Sequence, residues 1–271
     1  MGKREAFTAV QSVTRGVVKA GLDIVLPPQD PFSKDDKDWE DIQYLDEPCC
    51  DICGFPFEYA VGAGALCAGC LASPPRFTSA RAAFIYDDGS RDIILSFKHG
   101  GRTENLSRFA AQLRRAGRRF LPKADFIVPV PLYRTRRIKR RYNQSVLLGR
   151  ALSHITNASF ETEALRRIRA TESQGGQSAA GRKRNVQGAF TVVEAAKERL
   201  SGANIILIDD VMTTGATLDA CASVLLRSGA NRVDALCLAR VIRDKRSQKD
   251  SQDKDSQVKD WQNKDVFDGK S

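Results

Sequence analysis

An apolar run, Ile205-Ile206-Leu207-Ile208, leads straight into two carboxylates, Asp209 and Asp210, and then into Val211-Met212-Thr213-Thr214-Gly215-Ala216-Thr217. A buried strand that ends in adjacent acids and a small, hydroxyl-rich turn at the head of a helix suits an anion. Small residues let main-chain N–H groups approach a phosphate, threonine hydroxyls add donors, and the helix start adds the positive end of its dipole. Acids at the carboxyl edge of a strand can accept from vicinal sugar hydroxyls, which would seat a sugar beside its own phosphate. The plainer alternative makes Asp210 and Thr214 helix-capping groups and leaves the other acid in an exposed loop.

A second stretch carries the opposite charge. Val128-Pro129-Val130-Pro131-Leu132-Tyr133-Arg134 closes a strand with a rigid turn, and Arg136, Arg137, Lys139, Arg140 and Arg141 follow before Asn143-Gln144. Guanidinium groups so placed can clamp phosphoryl oxygens by paired hydrogen bonds. The same track could instead follow a nucleic-acid backbone, with Tyr133 and Tyr142 stacking on bases. The chain holds 43 Lys and Arg against 33 Asp and Glu, and fourteen of the basic residues fall between Arg102 and Arg150 with only Glu104 and Asp125 against them. That field favours phosphate-bearing partners, the alternative being a solvated helix face.

The third constellation is Cys50-x2-Cys53 and Cys67-x2-Cys70, thirteen residues apart across a spacer holding Gly54, Pro56, Gly62 and Gly64. Two facing turns of this kind can surround one zinc ion with four thiolates, a structural site that leaves no open position for chemistry. Redox pairs or metal-free knuckles are the alternatives. Cys49 could replace Cys50, but the regular spacing favours Cys50, and Cys221 and Cys237 sit among apolar residues as core. An odd count of seven cysteines fits a reducing compartment better than a disulfide framework.

Several elements must position these groups. Helical patterns cover Thr103–Phe120, Asn143–His154, Ser178–Val186 and Gly215–Ser228, and strands are expected at Phe126–Val130, Ala164–Ile168, Asn204–Ile208 and Val233–Ala239. The alternation predicts an α/β fold, a parallel sheet with helices on both faces. At the start, residues 1–28 read as an amphipathic helix that packs on the body, with membrane attachment the weaker alternative. Residues 29–48 read as a loose acidic linker, and 244–271 as a disordered charged tail. Nothing approaches about 18 consecutive apolar residues and no signal peptide is recognisable, so a cytoplasmic protein without stable membrane insertion is expected.

The double-Asp segment closely resembles the phosphoribosyl-diphosphate (PRPP) signature of type I phosphoribosyltransferases. The knuckles, the proline turn, Arg140-Arg141-Tyr142-Asn143-Gln144, Arg182-Lys183-Arg184-Asn185-Val186-Gln187-Gly188-Ala189-Phe190 and that signature occur in the order seen in ComF proteins. Over Cys50–Arg240 the chain is similar to the ComFC proteins of natural competence, and Lys98-His99-Gly100 looks like that family's lysine turn. It departs from the family where Arg141 stands for Gly and Tyr142 for Phe. The resemblance implies a zinc ribbon at 49–75 and a transferase-type domain at 76–243. It further implies PRPP with Mg²⁺ as ligand, with Asp209 and Asp210 on the ribose and Thr213, Thr214, Gly215, Ala216 and Thr217 on the 5-phosphate. Pro131, Leu132, Tyr133 and Arg134 would form the pyrophosphate loop. Single-stranded DNA and competence-machinery proteins are the implied partners. Three readings stay open: a DNA-handling factor that keeps the PRPP site, an active transferase with an unidentified acceptor, and an assembly adaptor.

Overall fold

The computed structural model describes residues 37–99, 103–132, 142–169 and 179–242. The amphipathic-helix, tail and basic-loop expectations at 1–28, 244–271 and 133–141 lie outside the described residues. In chain order the elements are α1 (Lys37–Glu40), α2 (Ala68–Ala72), β1 (Ala80–Ile85), α3 (Asp88–His99), α4 (Leu106–Ala116), β2 (Phe126–Pro129) and α5 (Gln144–Ser153). There follow β3 (Ser159–Phe160), β4 (Leu165–Arg167), α6 (Ala179–Val186), β5 (Phe190–Val192), α7 (Glu194–Leu200), β6 (Asn204–Met212), α8 (Ala216–Arg227) and β7 (Arg232–Arg240).

Five strands form an all-parallel sheet in the order β1-β7-β6-β2-β3. Its centre is the pair β6 and β7, whose Ile205–Ile208 and Val233–Ala239 are buried because helices cover both faces. A sheet covered on both sides calls for such unbroken apolar runs. One face packs α4 and α5 through Leu106, Phe109, Leu113, Leu148 and Leu152. The other packs α8 through Leu218, Cys221 and Leu225, together with Val186, Leu200 and the cysteine knuckles. No helix of the described residues is long and apolar enough to cross a membrane.

Besides adding β1, α3, β3, β5 and α7, the structure differs from the expectation in three places. Leu165–Arg167 is a strand, but it pairs antiparallel with Phe190–Val192 in a separate two-stranded ribbon. With Arg166 exposed and Arg167 half-buried, it lacks the apolar run that a place inside the parallel sheet demands. β6 runs on to Met212 rather than stopping at Ile208, because β7 continues beside it and pairs Asp209 with Cys237 and Met212 with Arg240.

The third difference concerns residues 37–48, which are packed rather than loose. Trp39, Ile42 and Leu45 are buried. β1 is an edge strand, whose unpaired main-chain groups need partners. Leu45 N–H donates to the Ala83 carbonyl at 3.0 Å, Ile85 N–H to the Gln43 carbonyl at 2.9 Å, and Ala80 N–H to the Ile52 carbonyl at 2.6 Å. The acids of this segment also neutralise part of the basic stretch: Arg115 and Arg118 pair with Asp46, and Arg119 with Glu47.

Candidate functional site

The chain leaves β2 toward β3 on one side and β6 toward β7 on the other, so the strand order reverses between β2 and β6. Parallel sheets open a crevice at the carboxyl end of such a switch point. The last hydrogen bond across it runs from Val130 N–H to the Ile208 carbonyl, 2.9 Å. Past that point β6 continues with Asp209 and Asp210 while β2 turns away through Pro131 and Leu132, both half-buried.

Each acid has its own support. Asp209 Oδ1 accepts from Ser145 Oγ at 3.2 Å and from Asp210 N–H at 2.9 Å. Asp210 Oδ1 accepts from Val211 N–H at 2.6 Å, and its Oδ2 lies 3.1 Å from Lys98 Nζ. With side chains only 17% and 15% exposed, Asp210 and Lys98 form a largely dry ion pair. Burial, and then the charge of Asp210, push the Asp209 carboxyl up to about 7 against the pull of Lys98 and Ser145. Two acids this close in a dry cleft favour a cation or hydroxyl donors as company.

Beyond β6 the backbone bends through Thr213 and Thr214 into Gly215, which stands at φ +76°. A Cβ there would lie 2.8 Å from Met212 Cε, so both the left-handed conformation and the close approach call for glycine. Gly215 is the N-cap of α8 and supplies no side-chain cap. The first N–H groups of that helix therefore have no side-chain cap. Thr214 is exposed, and Thr213, Ala216 and Thr217 are half-buried around the bend.

Four consecutive residues bind the crevice together. Tyr142 Oη donates to the Phe97 carbonyl at 2.6 Å, a bond the family's Phe could not make. Asn143 caps α5 by accepting from Ser145 N–H at 3.1 Å, and its Nδ2 donates to the Val130 carbonyl at 3.1 Å. Gln144, 1% exposed, donates to the Lys98 carbonyl at 3.0 Å, and Ser145 reaches Asp209. Tyr142 thus anchors α3 through its hydroxyl, with its side chain half-buried. Tyr133, Arg134, Arg136, Arg137, Lys139, Arg140 and Arg141 lie outside the described residues. Sequence reading marked Lys98 only as part of a turn and passed over Ser145; the polar run after the Asn143 cap was the one available signal.

The knuckles meet as the spacing predicts. One ligand atom from each of Cys50, Cys53, Cys67 and Cys70 falls within a 4.8 Å cluster, and Cys53 and Cys67 sulfurs are 3.6 Å apart. Gly54, at φ +69°, closes the first turn through its N–H to the Cys50 carbonyl, 2.8 Å; a Cβ there would lie 2.5 Å from the Ala80 carbonyl oxygen. Burial opposes the Cys50 thiolate, yet main-chain amides of Cys53, Cys67 and Ile52 outweigh it and bring the thiol down to about 7. Burial pushes Cys53 up to about 11 and Cys70 well up. Metal ions bind the thiolate form, and the donor set fits one thiophilic ion. Cys49 bridges to Pro56 by its main chain and stands outside the four.

Comparison with known proteins agrees with this geometry. A family model for the phosphoribosyl transferase domain matches residues 82–267. The chain is 34% identical over 204 residues to DNA utilization protein YhgH of Escherichia coli (strain K12), covering 73% of this chain and 86% of that protein. It is 30% identical over 200 residues to Competence protein F of Haemophilus influenzae, covering 71% and 85%. To Competence protein ComFC of Bacillus subtilis it is 29% identical over 202 residues, covering 70% and 77%. With a transferase-type crevice, a four-cysteine knuckle and relatives matched over most of their length, the chain belongs to the ComF family of phosphoribosyl transferase domain proteins.

Proposed function

We propose that this chain is a cytoplasmic DNA-handling factor of natural transformation that binds PRPP in the crevice between β2 and β6. In this reading Thr213, Thr214, Gly215, Ala216 and Thr217 hold the 5-phosphate, and Asp209 and Asp210 accept from the ribose hydroxyls. In the same reading Pro131, Leu132, Tyr133 and Arg134 would form the pyrophosphate loop. The single observation that carries the reading is the acid pair at the switch point, followed at once by a left-handed glycine and an uncapped helix start. Mg²⁺ would enter with PRPP and neutralise its phosphates beside these carboxylates. Lys98 balances Asp210 and would supply a positive charge beside the bound phosphates.

Zinc is the ion we assign to Cys50, Cys53, Cys67 and Cys70, in a structural ribbon spanning 49–75 beside a transferase-type domain at 76–243. Arg136, Arg137, Lys139, Arg140 and Arg141 are the proposed track for single-stranded DNA, and relatives named for competence and DNA utilization support that setting. Competence-machinery proteins are the expected protein partners.

Calorimetry with Mg²⁺-PRPP tests the central claim. Saturable heat that disappears in Asp209→Ala and Asp210→Ala is expected, and an intact wild type giving no heat would refute it. Incubation with PRPP and a panel of bases separates the active-transferase reading, which alone predicts pyrophosphate release. For DNA, affinity should fall steeply with salt, and Arg137→Ala with Arg140→Ala should flatten that slope by about one unit per lost contact.

A further inference from the structure

Arg240 ends β7 and is 8% exposed. Its Nη1 donates to the Cys53 carbonyl at 2.5 Å and approaches the Met212 sulfur at 3.5 Å. Nη2 lies 3.6 Å from the Cys53 sulfur, and the guanidinium covers the Phe55 ring at 5.5 Å. Buried Nε has no partner. None of the ion pairs among the described residues includes Arg240.

A guanidinium stays charged at every accessible pH, and a buried charge without an opposite charge is costly. The groups beside it that can carry negative charge are cysteine sulfurs. Four thiolates around one divalent ion sum to a double negative charge, which burial makes equally costly unless a cation stands near. The two needs meet at Cys53. We propose that Arg240 is the internal counter-cation of the cysteine site and a positioning residue through which metal loading fixes the phosphate bend.

The link to the bend is short. Met212 is the register partner of Arg240 across the sheet, and its carbonyl accepts from Val241 N–H at 2.9 Å. The Met212 methyl lies against Gly215, where an added Cβ would come within 2.8 Å of it, and Phe77 packs on the same point. With the metal gone, the guanidinium loses its anion and is drawn toward water, and the side chain that presses on Gly215 loses its hold. The counter-cation role stands by itself; the effect on the bend rests on the phosphate-binding reading above.

The test uses the full-length, zinc-loaded protein. Arg240→Met should release zinc to a chromogenic chelator faster by about 10- to 100-fold, the usual range for an outer partner of a metal ligand. Arg240→Lys keeps the charge without the planar fork and should fall between Met and wild type. Release at the wild-type rate from folded Arg240→Met, or from Arg240→Gln if the Met variant does not fold, overturns the counter-cation role. For the coupling, Mg²⁺-PRPP affinity is measured by calorimetry. Wild type stripped of zinc and Met212→Leu should both bind several-fold more weakly, while Met212→Leu releases zinc at the wild-type rate. Unchanged affinity in both overturns the coupling. Failure of loaded wild type to bind PRPP at all sinks the phosphate-binding reading and the coupling with it, while the zinc-release result still decides the role of Arg240.

Discussion

The cysteine knuckle and the acid pair are the two places where this molecule gathers groups that repel one another, and they do so by different means. The knuckle is local: Cys50 and Cys70 are near in sequence, and turns of a few residues aim their sulfurs at one point. The acid pair is held from afar, since Asp209 depends on Ser145 and Asp210 on Lys98, residues on two other helices. The sulfurs of the knuckle depend on a shared ion to offset their mutual repulsion, whereas each acid has a protein partner of its own in Ser145 or Lys98. The knuckle should therefore fail all at once and the crevice by degrees.

The largest effect expected is on the knuckle. Cys53→Ser should abolish stoichiometric zinc, read by metal analysis, and should lower the melting temperature of the whole chain, because β1 takes its edge partner from Ile52 in the same turn. Structural zinc contributes about 10–16 kcal/mol in isolated fingers, so no neighbouring contact can offset its loss. Cys49→Ser, one residue from a ligand, should leave zinc content unchanged; zinc lost in that variant would mean the ligand set is misassigned.

The crevice should respond more gently. Breaking a buried ion pair by removing one partner costs about 3–5 kcal/mol, and replacing both much less. Asp210→Asn and Lys98→Met should each destabilise the fold, and the double variant should cost clearly less than their sum in denaturant unfolding. Additivity would mean the pair is solvated and the crevice wet.

Asp209 adds a dependence on pH. Its folded-state pKa of about 7 lies above the ordinary value of 3.8, so the folded state binds the proton more tightly than the unfolded chain. The stabilisation is complete below pH 3.8 and is lost as pH rises to about 7. Across that window Asp209 lowers unfolding free energy by at most about 1.4 kcal/mol per pH unit, and Asp209→Asn should remove that slope. Ligand binding should run the opposite way, since ribose hydroxyls need the ionised acid. Mg²⁺-PRPP affinity should rise through about pH 7 in wild type, and a comparison with Asp209→Asn separates this from the ligand's own phosphate titration.

The same contrast between local and distant explains what could be read from the chain. Cysteine spacing, the apolar run into Asp209 and the small residues of the bend are contiguous, and each carries its physics within a dozen residues. β1 was passed over because Ala-Arg-Ala-Ala has little strand character, and it is a strand because β7 and residues 43–45 flank it. The acidic segment 37–48 looked unable to order itself. Three apolar residues, Trp39, Ile42 and Leu45, suffice once an open sheet edge receives them and Arg115 and Arg118 pair with Asp46. Lys98 and Ser145 join the site through pairings across 112 and 64 positions, which no local pattern encodes.

The smallest effect expected concerns the stitch at Tyr142. Its hydroxyl makes one hydrogen bond, to the Phe97 carbonyl, and its ring packs against Phe97 with centroids 6.4 Å apart. Tyr142→Phe keeps the packing and loses the bond, so it should cost about 1 kcal/mol in unfolding. Lys98 follows Phe97 directly, so the same change should loosen the end of α3 and weaken Mg²⁺-PRPP binding by a few-fold. Single-stranded DNA binding should not change, because the half-buried ring keeps its contact with Phe97. A variant of full stability and full PRPP affinity whose DNA binding falls would reverse the assignment, making Tyr142 a surface contact and leaving the distant support of the crevice to Lys98, Asn143, Gln144 and Ser145.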